Sequence, residues 1–353
     1  MNAHKAAENT AGGFTDRQLI FLVSQPRAGS TLLQSLLAGV ESLHTTAEPW
    51  LMLHPLYALR ETGHAADYDA TVATRALHDF LAGLDEGTGA YYQALRLMAL
   101  DLYERACRGA GKSLFLDKTP RYYHILPELS RVFPAARYVI LFRNPAAVLS
   151  SVIRTWIDGD WSRFDYFRDD LLMAPRALTD SLTYLGDHAI VVQYEQLVLA
   201  PDVCLRDLCA RLDLPYTPAL LEYGKRPPPE GRYGDPTGVR RHDRPSPASL
   251  DAWLTHAENP QIHHLLSAYL EALGADQLAA MGYEASKLRT ALRGVRQRPG
   301  RVSISWSRLT AADKSVSDRA KLLLGGGHWA RHPRRTARQL IRLLTEPSNR
   351  YRP

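Results

Sequence analysis

Residues 20–37, IFLVSQPRAGSTLLQSLL, constrain this chain more than any other stretch. An apolar run, Ile20 to Val23, stops at a polar turn of Gln25, Pro26, Arg27, Ala28, Gly29, Ser30 and Thr31. An amphipathic run follows, with Leu32, Leu33, Leu36, Leu37 and Val40 on one helical face. Strand, glycine-bearing turn and helix N-terminus in that order suit an anion, because free backbone N–H groups and the helix dipole both favour negative charge there. Gly29 permits close approach, Ser30 and Thr31 add hydroxyl donors, and Arg27 adds a fixed charge. A nucleoside-triphosphate loop would need GxxxxGK[ST]; this turn is shorter and carries Arg in place of the Lys.

Three further apolar runs read as strands: SLFLDKTP (113–120), ARYVILFRNP (136–145) and AIVVQYEQL (189–197). Helical spacing dominates 50–112, YYHILPELSRVF, AAVLSSVIRTW, about 170–186, 202–214 and 249–280. Strands alternating with helices imply an α/β fold with a parallel sheet covered on both faces. Residues 225–248, rich in Pro, Gly, Arg and Asp, read as a long loop, of a kind that tends to be functional or mobile, with an exposed basic loop as the alternative.

The net charge of +6 is unevenly distributed. Residues 285–353 hold 17 Lys and Arg against 3 Asp and Glu, a net +14, and the preceding 284 residues carry −8. A mildly acidic body with a basic tail is the result, and an acidic partner is one expectation for the tail; nucleic acid is not expected. No apolar run approaches membrane-spanning length, and the polar N-terminal stretch has no signal-peptide core, so the expectation is a cytoplasmic protein. Cys107, Cys204 and Cys209, without a CxxC pair, read as reduced thiols, and no metal site is expected. The oligomeric state is left open.

A second basic element accompanies the first turn. Arg143 ends the strand in LFRNPAAVLSS, at the edge where open parallel sheets bind ligands, and Ser151 lies eight residues on, about two turns into the next helix. Together PRAGSTLL and RNPAAVLSS resemble the elements with which sulfotransferases that use 3′-phosphoadenosine-5′-phosphosulfate (PAPS) hold the 5′-phosphosulfate and the 3′-phosphate. VVQYEQLVLAP resembles the same family's strand-end segment, and LDKTPRYY the Lys-Thr-Pro segment of its carbohydrate and tyrosylprotein members.

The resemblance covers residues 18–283, a PAPS-binding α/β domain, and leaves 284–353 as a basic C-terminal extension. It implies a P-loop-like parallel sheet flanked by helices, with a helical acceptor-side insertion. It also implies transfer of a sulfuryl group to a hydroxyl, as an O-sulfotransferase, with adenosine-3′,5′-bisphosphate as the second product and no metal. Arg27, Ala28, Gly29, Ser30, Thr31, Arg143 and Ser151 would bind the donor, Tyr194 would lie near the adenine, and Arg240 and Arg241 would reach the 3′-phosphate from the long loop. Members that use a His base carry it after the Lys-Thr pair; Pro120 stands there instead. Glu48 in HTTAEPWLML then corresponds to the Glu base of the carbohydrate and tyrosylprotein members, with Lys118 and Arg27 neutralising leaving-group charge. For Glu48 the alternative is a helix cap; for Lys118 it is a salt bridge to Asp117. Two other functions remain open: a P-loop kinase using Asp117 as a magnesium ligand, and a non-catalytic nucleotide-binding protein. The acceptor is not named by the sequence; residues 50–112 and 155–175 supply aromatics for its pocket.

Overall fold

The computed structural model describes residues 13–63, 66–231, 242–311, 316–325 and 332–345. Five parallel strands form one sheet in the order β2-β3-β1-β4-β5: β1 Leu19–Ser24, β2 Leu43–Thr45, β3 Leu114–Lys118, β4 Arg137–Phe142 and β5 Ala189–Gln193. β1 lies at the centre, with Leu22 level with Lys118 on one side and Val139 on the other. The sequence reading has four of these strands; β2 is too short for any periodicity to mark it.

Alternation along the central strands divides the interior into two cores. Ile20, Leu22, Leu116, Val139 and Leu141 face one, and Leu19, Phe21, Val23, Phe115, Tyr138, Ile140 and Phe142 face the other. The first core is covered by α1 Ser30–Leu37 and, later in the chain, by helices that follow β4 and β5. Between β2 and β3 lie α2 Leu53–Tyr57, α3 Ala70–Ala82 and α4 Thr88–Ala110; α2 and α4 contribute to the second core together with α5 Leu126–Val132, and α3 packs on α4. α6 Pro145–Val152 starts where Asn144 caps its first turn and Pro145 pre-sets the backbone. α7 Arg168–Leu172 and α8 Ala174–Leu185 lead to β5, which α9 Tyr194–Leu199 and α10 Pro201–Arg211 follow. α11 Ala252–His256 and α12 Pro260–Ala280 pack on α6. No helix among the described residues is long and apolar enough to cross a membrane.

The basic extension is built into the body. It carries α13 Ala285–Arg293, α14 Trp306–Thr310, α15 Val316–Gly325 and α16 Pro333–Thr345. Leu292, Ile304, Leu309 and Leu322 are buried members of the first core. The Gln261 side chain accepts from the Ser303 and Ile304 amides (2.8 and 2.9 Å) and donates to the Ile304 carbonyl (2.6 Å). Trp306 packs on Tyr269 and edge-on to Phe164. The tail's charge therefore lies on an amphipathic segment whose apolar face has a place in the fold. Each buried aliphatic side chain is worth about 1.5–3 kcal/mol, so four of them compare with the roughly 5–15 kcal/mol that separates folded from unfolded domains. A chain ending at Gly282 is thus expected to melt far below the full chain or not to fold; an unchanged Tm by circular dichroism would make the segment a detachable appendage.

Candidate active site

Each candidate residue named from the sequence and described in the structure lies in or just after a strand's C-terminal end, or in the helix that follows. The anion turn follows β1, Glu48 lies three residues after β2, and Lys118 is the last residue of β3. Arg143 follows β4 directly and leads to Ser151 in α6, and Tyr194 follows β5 directly. Ligands of open parallel sheets bind at this edge, where the crossovers on the two sides of the central strand diverge.

The turn after β1 is tight and left-handed. Ala28 N–H donates to the Gln25 carbonyl at 3.1 Å, Arg27 has φ 72° and Gly29, capping α1, has φ 100°. Few non-glycine residues adopt such angles, and strain of this kind persists where the surroundings over-determine it. The Tyr194 ring lies directly over Gly29, so that a methyl group there would overlap it. Gln25 anchors the turn from behind, donating to the Asp170 carbonyl (2.9 Å) and the Tyr269 hydroxyl (3.3 Å).

Two guanidinium groups meet on the β4 side. Arg143 Nη1 donates to the Arg27 carbonyl at 3.0 Å, and its guanidinium stacks on Tyr194 at 4.2 Å. Arg27 Nε donates to Ser151 Oγ at 3.1 Å, and its guanidinium lies over Trp156 at 5.3 Å. Trp156 belongs to a π-helical turn, Ile153–Ile157, that extends α6 and stacks on Phe167. Such wide turns recur at functional sites. Burial lowers the Arg143 pKa and the Arg27 charge lowers it further, partly offset by Tyr194 and Glu195. An arginine does not give up its proton under these conditions, so two like charges are held together. Arg143 Nε is buried with no hydrogen-bond partner among the described residues. Unpaired buried donors beside a second cation suit an anion. Glu195 shapes this side by accepting from the Asn144 amide (2.9 Å) and the Tyr283 hydroxyl (2.7 Å). The Tyr194 hydroxyl meets Ser249 at 3.0 Å.

The β2–β3 side holds a lysine–glutamate pair. Lys118 is fully buried and donates to Glu48 Oε1 at 2.9 Å, and the Trp50 indole donates to Oε2 at 3.1 Å. The Glu48 side chain is 17 % exposed. The sequence alternatives for the two residues, a helix cap and an Asp117 salt bridge, differ from this arrangement: Lys118 pairs with Glu48. Asp117 instead takes three hydroxyl hydrogen bonds in the second core, where it is buried. The flank of the long loop also reaches this side. The Ala47 amide donates to the Glu230 carbonyl at 2.7 Å, and Gly231, at φ 135°, sits against Ala47. Arg240 and Arg241 lie outside the described residues.

Sequence reasoning did not single out Trp50, Trp156, Tyr283, Ser249 or the Arg121–Asp170 pair. Arg121 binds Asp170 through two nitrogens (2.9 and 2.6 Å), Tyr123 donates to the same carboxylate, and the Arg121 guanidinium lies 5.8 Å over Trp50. The aromatic content of 50–112 and 155–175 was the one signal pointing to Trp50 and Trp156.

A sequence model of the sulfotransferase family matches residues 19–218. The chain is 28 % identical over 293 residues to the nodulation protein NoeE of Sinorhizobium fredii, covering 76 % of this chain and 66 % of that one. It is 24 % identical over 211 residues to protein-tyrosine sulfotransferase 1 of Danio rerio, covering 59 % and 56 %. The chain thus spans between about half and two thirds of the length of these curated relatives. Its fold is similar to that of the sulfotransferase domain from the curacin biosynthetic pathway, with a TM-score of 0.50 at 21 % identity over 75 % of this chain and 97 % of that domain. The parallel sheet, the basic turn after β1 and the match over more than half of its length establish that this chain belongs to the sulfotransferase family.

Proposed function

We propose that the protein transfers the sulfuryl group of PAPS to a hydroxyl of a sugar, phenol or natural-product acceptor, giving a sulfate ester and adenosine-3′,5′-bisphosphate. The observation that carries this reading is the pair of guanidiniums at the end of β4, Arg27 and Arg143, with Ser151 beside them and a buried Arg143 donor left over. A donor with a 3′-phosphate as well as a 5′-phosphosulfate needs more positive charge than one helix N-terminus provides. The turn of Arg27, Ala28, Gly29, Ser30 and Thr31 binds the 5′ end, Arg143 and Ser151 bind the 3′-phosphate, and Tyr194 borders the base.

Glu48, on the other side of the turn, accepts the proton of the acceptor hydroxyl. Its remaining contacts fix its orientation through Lys118 and Trp50. Lys118 neutralises charge on the bridging oxygen as it leaves, with Arg27 contributing from the turn. Sulfuryl transfer by this route resembles phosphoryl transfer in relying on positioning and preorganised charge.

Labelled PAPS offered with a panel of sugars, phenols and a tyrosine peptide tests the activity directly, and no transfer to any of them beside equal binding of ATP–magnesium would overturn the reading. The donor assignment has its own test. Arg143→Ala is expected to weaken adenosine-3′,5′-bisphosphate by about 1.5–3 kcal/mol in calorimetry, and adenosine-5′-phosphate far less. Equal losses for the two ligands would remove Arg143 from the 3′-phosphate.

A further inference from the structure

A carboxylate that the proposed chemistry does not use lies next to the catalytic pair. Asp117 precedes Lys118 on β3 and is 1 % exposed. Tyr103 of α4 and Tyr122 donate to its Oδ2 at 2.7 and 3.0 Å, and Thr119 donates to Oδ1 at 2.7 Å. The Tyr122 hydroxyl in turn accepts from the Met52 amide at 3.1 Å. A continuous chain of hydrogen bonds therefore runs from the interior of β3 to the segment that carries Glu48 and Trp50.

We infer that Asp117 is a positioning residue: through the Tyr122 hydroxyl and the Met52 amide it anchors the 48–52 segment, so that Glu48 stays against Lys118 and open to the acceptor. A hydroxyl whose proton is committed to a carboxylate must turn its lone pairs elsewhere, and the Met52 N–H lies in line to use one. Trp50 sits in this anchored segment at φ 54°, a left-handed conformation that needs such support. The inference rests on the proposed role of Glu48.

The anchor is costly, which is what a positioning role predicts and a simple packing role does not. Burial pushes the Asp117 carboxyl up to about 6, against the three hydroxyl hydrogen bonds that lower it, and the Glu48 charge raises it further. The groups facing it are Tyr103 from α4, Thr119 and Tyr122 from the turn after β3, and Glu48 beyond them; Lys118 on its own strand pairs with Glu48. A carboxyl raised in the folded state stabilises the protein below its unfolded value, near 3.9, and that contribution is lost as pH rises through about 6. At pH 8 the ionised side chain therefore works against folding.

The experiment compares full-length Asp117→Asn, Tyr122→Phe and Glu48→Gln with the native chain. Asp117→Asn keeps the shape, and the tyrosine hydroxyls can accept from its amide. It should melt at or above the native Tm at pH 8, bind adenosine-3′,5′-bisphosphate within about twofold, and lose about tenfold or more in kcat for whichever panel acceptor the native chain sulfates. Tyr122→Phe should lose kcat in the same way, and the Met52 amide should exchange with deuterium about tenfold faster or more. Native exchange at Met52 in both variants overturns the anchor whatever the activity. So do native kcat values in a chain that Glu48→Gln inactivates, and so does a fall of Tm, donor affinity and kcat together in Asp117→Asn. Retained turnover in Glu48→Gln instead removes the base assignment, and the Met52 exchange rates still decide the anchor.

Discussion

Replacing Glu48 with glutamine is expected to lower kcat by about 10²–10⁴-fold, the usual loss when a general base is removed, with donor affinity nearly unchanged. Gln keeps the length and one oxygen for the Lys118 ammonium, which donates to Glu48 Oε1 at 2.9 Å. It cannot take the acceptor's proton. Its amide also cannot accept from both Lys118 and the Trp50 indole as the carboxylate does. Lys118 is fully buried, and breaking a buried pair can cost about 3–5 kcal/mol because a charge is left uncompensated. Thermal unfolding must therefore accompany the kinetics. A variant that is folded at the assay temperature and binds adenosine-3′,5′-bisphosphate normally, but turns over slowly in single-turnover experiments, fits the assignment. Near-native single-turnover rates would return Glu48 to the role of a partner that merely neutralises Lys118.

Gly29→Ala should do the opposite, weakening donor binding before any chemistry. The residue sits at φ 100° under the Tyr194 ring, so a methyl group meets both a disfavoured backbone angle and an aromatic face. Backbone strain of about 1–3 kcal/mol and overpacking of similar size act at one point, and the turn can relieve them only by moving the N–H groups proposed to face the donor. The dissociation constant for adenosine-3′,5′-bisphosphate is expected to rise on the order of 10²-fold, which corresponds to about 2.7 kcal/mol. Adding Tyr194→Ala removes the overlap and leaves the backbone angle, so the double variant separates the two causes. Native affinity in the single variant would show that the turn does not cradle the ligand.

The legibility of this site followed the range of its interactions. The turn after β1 and Arg143 belong to local patterns, an apolar run ending in polar residues and leading into a helix, and the structure puts each where such a run ends, with Ser151 in the helix that follows Arg143 and Tyr194, named by the family resemblance, directly after β5. Glu48 had no such pattern. β2 has three residues, and the resemblance to glutamate-dependent members, not periodicity, pointed to position 48. The pairings were illegible because nothing local encodes them: Lys118 finds Glu48 across 70 residues, Tyr283 finds Glu195 across 88, and Arg121 finds Asp170 across 49. The extension shows the same limit. Its charge and amphipathic spacing are plain in the sequence, but the surface its apolar face covers is assembled from residues far upstream.

That covered surface has a consequence for how the protein is made. Tyr269 donates to the Leu171 carbonyl, accepts from Gln25 behind the anion turn, and carries Trp306 on its ring. Gln261 spends its side-chain amide on residues 303 and 304. During synthesis the sheet and all the strand-end residues leave the ribosome before this support exists. The wall behind the turn closes only when residues 261–306 have emerged. A nascent or prematurely terminated polypeptide that stops before residue 261 thus carries the strand-end side chains without the backing that holds the turn, and donor affinity is expected to appear only once residue 306 has been made.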